Sequence, residues 1–319
     1  MSTRALFTTA TALLLATSTL AANAAAADEA VKLSWKFEKG EKLHYVVEQN
    51  TATEAQFAGQ SIKNDMKQTL DLEWTVNDVA GDGTAHLTQT IRRVRLKMSQ
   101  PGAPGVEYDS SSKEAPQGFA AQMAGVYKVL VDKPIKVKMS PLGTVGDVTL
   151  PEGLADEMKR SAGPGPAAAM FNEDVVKQMV GGPVFVLADH AVKKGETWKH
   201  QAAMSNPQIG GKSTIEFTFT YLGTEKRDGK DFDKIGMSMK MSITPAGAGA
   251  PTVEIKSQQS EGDIDFDRAA GRLQKIRTKS KMAMAITAGG TKLDHGITSD
   301  NSMRLTDGED DEKASETEK

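Results

Sequence analysis

Several residue groups in this chain could do chemistry, and each can be weighed by its spacing. Ser110 and Lys113 satisfy Ser-x-x-Lys, which on a helix sets a nucleophile one turn from its base. They lie in a serine-rich stretch of loop composition at 99–118, and no Lys-Thr-Gly occurs elsewhere, so the match reads as chance. Gly211-Lys212-Ser213 ends like a phosphate-binding loop. Asn206 stands where that loop needs its first glycine, and a strand pattern follows where it needs a helix. Asp263, Asp265 and Asp267 open like a calcium loop, but Arg268 and Gln274 occupy its glycine and glutamate positions. Facing them, Lys275, Arg277, Lys279 and Lys281 alternate on the returning run. Acidic and basic rows on paired strands explain both sets without a ligand. His44, His86, His190, His200 and His295 are too dispersed for a local metal site. With no cysteine, disulfides, thiolate sites and a Cys nucleophile are excluded.

One set survives. Phe217 and Phe219 alternate in "STIEFTFTY", Met237, Met239 and Met241 in "KIGMSMKMSI", and Met282 and Met284 lie farther on. Met-x-Met suits Cu(I), yet Ile235 and Ile243 continue the same face, which points to an apolar sheet surface. Such a surface is either sealed core or, because thioethers are flexible and polarizable, an adaptable lining for an acyl chain. The candidate ligand-binding residues are therefore Trp74, Phe217, Phe219, Met237, Met239, Met241, Met282 and Met284. No catalytic residue, metal ligand or cofactor is assigned.

The elements that must position them are strands. Between Ile62 and Val76, apolar Met66, Leu70, Leu72 and Trp74 alternate with polar residues, the mark of a strand with one wet face. Asp82-Gly83 and Asp228-Gly229 are hairpin signals. Helical spacing is confined to "QGFAAQMAGVYKVL", "PEGLADEMKRSAG" and "NEDVVKQMVGG", the last with Asn172 as N-cap and Gly181 as stop. Lys39-Gly40-Glu41 and Lys194-Gly195-Glu196 each precede an aromatic-bearing run. Gly143/Val145/Val148 and Gly271/Leu273/Ile276 share one spacing. These echoes predict an internal duplication, with β-rich halves at 28–150 and 184–306 around a helical and linker segment at 151–183.

Residues 1–27 carry a basic start at Arg4, an apolar run and Ala-x-Ala sites, the pattern of a cleavable signal peptide. A periplasmic or secreted location follows as an expectation, without a lipidated cysteine. Residues 307–319 read as a solvated, disordered acidic tail. A net charge of −3 gives no reason to expect nucleic acid, and no later segment is apolar enough for a transmembrane helix.

At "WKFEKGEKLHYVVEQ", "VEYDSSS", "GVYKVLVDKPIKVKMSPLGTV" and "PVFVLADHAVKKGETW" the chain resembles an uncharacterised family, a domain of unknown function, of exported bacterial β-rich proteins. The matching positions are Phe37, Gly40 and Glu41; Asp109 and Ser110; Gly143 and Val145; and Gly195, Glu196, Thr197 and Trp198. The resemblance implies a β-rich exported domain and no activity. A looser likeness is to periplasmic lipoprotein carriers with an unclosed barrel. The expected fold is α+β and predominantly β: long curved antiparallel strands in two related halves, with short covering helices. The expected function is non-enzymatic binding of an apolar or amphiphilic ligand, such as a lipid, in a sheet concavity. The alternative is an envelope scaffold with a sealed core and a protein partner.

Overall fold

Alternating apolar and polar residues can satisfy both faces of a chain only in a sheet, and in the computed structural model one sheet takes nearly all of them. The structure describes residues 29–57, 60–99, 101–102, 104–114, 119–163, 172–181, 185–206, 211–244 and 251–308. The expected leader, almost all of the linker at 163–169 and all but the start of the acidic tail lie outside the described residues. In chain order the elements are β1 (Lys42–Phe57), β2 (Gln60–Val79), β3 (Ala85–Ser99), β4 (Val106–Asp109), α1 (Phe119–Leu130), β5 (Ile135–Met139), β6 (Val145–Thr149), α2 (Leu154–Ser161), α3 (Glu173–Gly181), β7 (Thr197–Asn206), β8 (Gly211–Arg227), β9 (Lys230–Thr244), β10 (Thr252–Asp267), β11 (Arg272–Ala288) and β12 (Thr291–Thr306).

All twelve strands form one antiparallel sheet, in the order β6-β5-β3-β2-β1-β12-β11-β10-β9-β8-β7, with β4 beside β3. The sheet is unclosed: β6 and β7 are its edges. The long-range pairing of β1 with β12, from His44↔Thr306 to Gln56↔Asp294, joins the two chain halves. The three helices fall where their periodicity predicts. Asn172 caps α3 by accepting the Val175 N–H at 2.9 Å.

The two Gly-Glu turns share one construction. Gly40 (φ 86°) and Gly195 (φ 85°) are left-handed, a conformation open to glycine at little cost. Gly40 N–H donates to Val76 and Val76 N–H to Glu41; Gly195 N–H donates to Tyr221 and Tyr221 N–H to Glu196. Each glutamate carboxylate then caps its own turn, at the N–H of Glu38 and of Lys193. The same short motif thus starts β1 and β7 by the same bonds.

The core lies at one end of the strands, where two crossing segments cover the sheet. Val31 and Val192 bridge these segments, and Trp35, Phe37, Phe185 and Leu187 point into the core. Trp35 lies among Phe37, Trp74, Phe185 and Phe266, with ring centroids 5.7–6.3 Å apart. Trp198 stacks on Phe219 and donates its indole N–H to Val186 at 2.8 Å.

The crossing segments press on two glycines that the sequence pairs by spacing. Gly143 has φ 87° and Gly271 φ 67°. A Cβ at Gly143 would stand 2.5 Å from the Phe185 carbonyl, and one at Gly271 2.6 Å from the Lys36 nitrogen. Backbone cannot yield cheaply there, so Gly271→Ala combines left-handed strain with a clash. It should cost about 2–4 kcal/mol, read as a shift of the urea midpoint. Gly229→Ala, also left-handed but with open space around it, should cost only about 1 kcal/mol. Equal losses at the two sites would show that the crossing segment does not bear on Gly271.

Candidate ligand-binding face

Register sorts the side chains of the long strands onto two faces. One carries Leu70, Val47, Met303, Ile276, Ile264, Ile235 and Tyr221 at the core end, matched strand to strand. Over the first half of the chain the helices cover this face: Tyr127 of α1 stacks on Tyr108 and accepts a hydrogen bond from Gln68 at 3.0 Å. Leu154 and Met158 of α2 and Val176 of α3 are buried in the same core.

The eight candidate residues divide between core and open face. Trp74, 2% exposed and 4.9 Å from the Tyr45 ring, belongs to the aromatic core and lies five strands from β9. Phe219, Met237 and Met284 are also buried. Phe217, Met239, Met241 and Met282 are half-buried in the outer part of the sheet. Cross-strand pairs Phe219↔Met237 and Phe217↔Met239 bring four of the eight together on β8 and β9, and Met241, opposite Ile215, follows on β9. Met282 and Met284 lie on β11, beyond β10.

Two features of this face escape the alternation pattern. The first is a row of hydroxyls. Thr51, Ser299, Ser280 and Ser260 stand opposite one another across β1, β12, β11 and β10. They separate the core from an outer apolar band that includes Ile297, Met282 and Ile286. The Ser260 hydroxyl, at the end of the row, is buried and has no hydrogen-bond partner among the described residues.

The second is a fork. β10 pairs with β11 along its whole length, and β9 with β8. Between β9 and β10, however, the ladder runs only from Phe266↔Asp233 to Gly262↔Met237. Continued outward, the same register would set Gln258 opposite Met241. There the Gln258 side-chain amide sits between the strands, accepting the Met241 N–H at 2.8 Å and donating to the Met241 carbonyl at 3.0 Å. A normal ladder, with backbones ~4.8 Å apart, has no room for it. Gly262 marks the branch point, where a Cβ would stand 2.9 Å from the Arg277 carbonyl of β11.

The other face is charged. Asp263 and Asp265 stand opposite Arg277 and Lys275, facing acidic and basic rows as the sequence predicts; Asp267 stands opposite Arg272 past a bulge, and Glu261 opposite Lys279 extends the acidic row. The ion pairs nevertheless reach to other strands: Arg277 pairs with Asp300 at 2.9 Å, and Asp265 takes Lys234 and, at 2.8 Å, Arg227. Burial acts to raise the Asp265 carboxyl, and the two cations overcome it and hold the group below the usual carboxylate range. On Asp109, burial is likewise outweighed, by Arg93 and the Ser111 N–H and hydroxyl, which draw it down to about 2. Ser110 beside it accepts the Val94 N–H, a turn contact that occupies the hydroxyl of the Ser-x-x-Lys match. Two adjoining clefts of about 540 and 440 Å³ share Thr298 and Asp300. None of the eight candidate residues lines either cleft.

The depressed carboxyls carry a pH dependence. A group whose native pKa lies below its unfolded value adds stability above the unfolded value and loses it as pH falls through the native one. Between about pH 4 and pH 2, Asp109 should therefore cost the fold on the order of 1–2 kcal/mol. Asp109→Asn should flatten that part of a plot of urea midpoint against pH. An unchanged slope would mean that the Arg93 pair does not persist in solution.

Among the described residues, no three His, Asp or Glu side chains are grouped to hold a metal, and no helix is long and apolar enough to cross a membrane. No curated protein matches the sequence. Solved structures give distant likenesses. A structure of lipid–protein interactions in lipovitellin is 11% identical at TM-score 0.46, covering 85% of this chain and 25% of that one. This chain thus spans a quarter of that protein's length. An outer membrane channel from Pseudomonas putida is 7% identical at TM-score 0.26, covering 85% and 97%. A DUF1329 family protein from Desulfovibrio piger is 11% identical at TM-score 0.13, covering 82% and 84%. Likenesses this remote assign no ligand or activity. The sequence model that does match spans residues 82–271, well over half the chain, and the chain belongs to the family it defines, a family of unknown function (DUF6263).

Proposed function

We propose that the protein is an exported, non-enzymatic component of the cell envelope that binds an amphiphile on the outer half of its apolar sheet face. The observation that carries this reading is the uneven cover of that face. α1–α3 and the two crossing segments cover the first half and the core end. Phe217, Met239, Met241, Met282 and Ile297 continue the same face as half-buried residues. A sheet gains stability by burying its apolar side against a second layer, and a flexible thioether surface suits a chain of variable shape. The titratable groups favour binding over catalysis. Asp109, Glu73 and Asp265 are held below the carboxylate range by cationic partners, whereas a general acid or base works best near the ambient pH.

Titration of the purified protein with a fluorescent long-chain fatty acid tests the reading. Saturable uptake at one or a few sites per chain is expected. Fluorescence that rises no further than with a denatured control would contradict it.

A further inference from the structure

The fork between β9 and β10 joins the two faces of the sheet, and each side of it fits a different part of one molecule. On the apolar side its lips are Met239, Met241 and Ile243 on β9 and Val253 and Ile255 on β10, with Met282 and Met284 behind. On the charged side lies the 440 Å³ cleft lined by Gln259, Glu261, Lys279 and Lys281 beside Ser260 and Ser280. Lys240 of β9 lies on the same side of the sheet. Among the described residues, Lys240, Lys279 and Lys281 have no carboxylate within ion-pair distance, whereas Arg277 and Lys234 beside them do. Asp300 also lines this cleft; with Glu216 opposite Lys240 taken up by Lys199, the four cations Lys240, Arg277, Lys279 and Lys281 face Glu261, Asp263 and Asp300, a local excess of one positive charge.

We propose that this fork is the binding site of an anionic single-chain amphiphile, with the acyl chain on the methionine face and the anionic end in the cleft against Lys279 and Lys281. The inference rests on the amphiphile reading above and specifies its site and ligand class. Charge complementarity selects the ligand: a carboxylate or a monoacyl phosphate meets the lysines. Gln258 is the latch. Its amide closes the unliganded fork by taking the place of a backbone pair, and a chain threading the gap displaces it from Met241.

The test compares palmitate with hexadecanol, of equal chain length and no charge, and with a monoacyl phosphate, in wild type and in Lys279→Gln/Lys281→Gln. Wild type should bind palmitate about tenfold more tightly than the alcohol, and the double variant should lose that preference while still binding the alcohol. Equal use of both anions identifies the site as one for the charge; preference for the phosphate makes the source a phosphorylated lipid. In a second arm, Met241→Cys/Gln258→Cys joined by a short bifunctional thiol reagent should lose palmitate uptake at least tenfold. The chain has no other cysteine, and the same link at Lys226→Cys/Asp231→Cys, a paired position near the β8–β9 hairpin, should leave uptake intact. Equal binding of acid and alcohol by wild type, or full uptake with the fork linked shut, overturns the proposal while the amphiphile reading stands. Uptake of none of the three ligands by wild type overturns both.

Discussion

Phe266→Ala should destabilise the protein by about 3–5 kcal/mol, a third or more of the stability of an ordinary domain. Phe266 is fully buried, with ring centroids 5.7 Å from Trp35 and 5.9 Å from Phe185. Those partners come from the two crossing segments, so one ring ties both to the sheet. Phe266 also stands opposite Asp233 in the short ladder that holds the β7–β8–β9 wing. The alanine variant therefore leaves a cavity beside the only backbone pairing between β9 and β10 among the described residues. Little can collapse into it, because the Lys36 N–H bonds to the Gly271 carbonyl at 2.8 Å and fixes the segment that carries Trp35. Phe266→Leu, which keeps most of the volume, should cost about 1–1.5 kcal/mol. Urea unfolding gives both values, and an alanine loss below about 1 kcal/mol would mean that the halves do not share one core.

The second large effect is on binding. Met239→Asp/Met282→Asp should weaken uptake of a long-chain fatty acid by tenfold or more and cost little stability. Both positions are half-buried in the outer sheet, so the new carboxylates reach water in the free protein. A chain lying across them would strip that water away, and an unpaired charge against hydrocarbon is strongly disfavoured. Thr218→Asp, on the opposite face of β8, adds the same charge away from the chain and should leave uptake within about twofold. Equal weakening by Thr218→Asp would show that net charge, not the methionine face, governs binding.

The strands, their faces and the three helices were legible because each depends on local spacing. Two-residue alternation assigned Phe217, Met239 and Ile243 to one surface, and Asp228-Gly229 marked the turn that joins β8 to β9. The facing rows at Asp263 and Arg277 were legible for the same reason. Their ion partners were not, because Asp300 comes from β12 and Arg227 from β8, set beside them by the sheet order. The pairing of β1 with β12 was illegible too, since it joins residues some 250 positions apart through register alone.

The fork was hidden in a different way. The methionine run looks like continuous sheet when β9 is read by itself. What breaks the sheet is on β10, where Gln258, Ser260 and Gly262 occupy the face that Ile264 begins. Cross-strand pairs of apolar side chains stabilise a ladder, and these residues offer β9 none. A polar amide, a hydroxyl and a glycine at alternate positions were the available signal. The common hydrogen bonding of the two Gly-Glu turns, and the runs β6-β5-β3-β2-β1 and β11-β10-β9-β8-β7 on either side of β12 in one sheet, lead us to propose that the halves descend from one duplicated unit.

Native mass spectrometry of the protein purified from its own cells, in a detergent-free buffer, reads directly whether the apolar face carries a ligand. The chain should carry a non-covalent adduct in the mass range of a single-chain lipid, released on unfolding. Clean unliganded protein that also fails to take up added palmitate would contradict it.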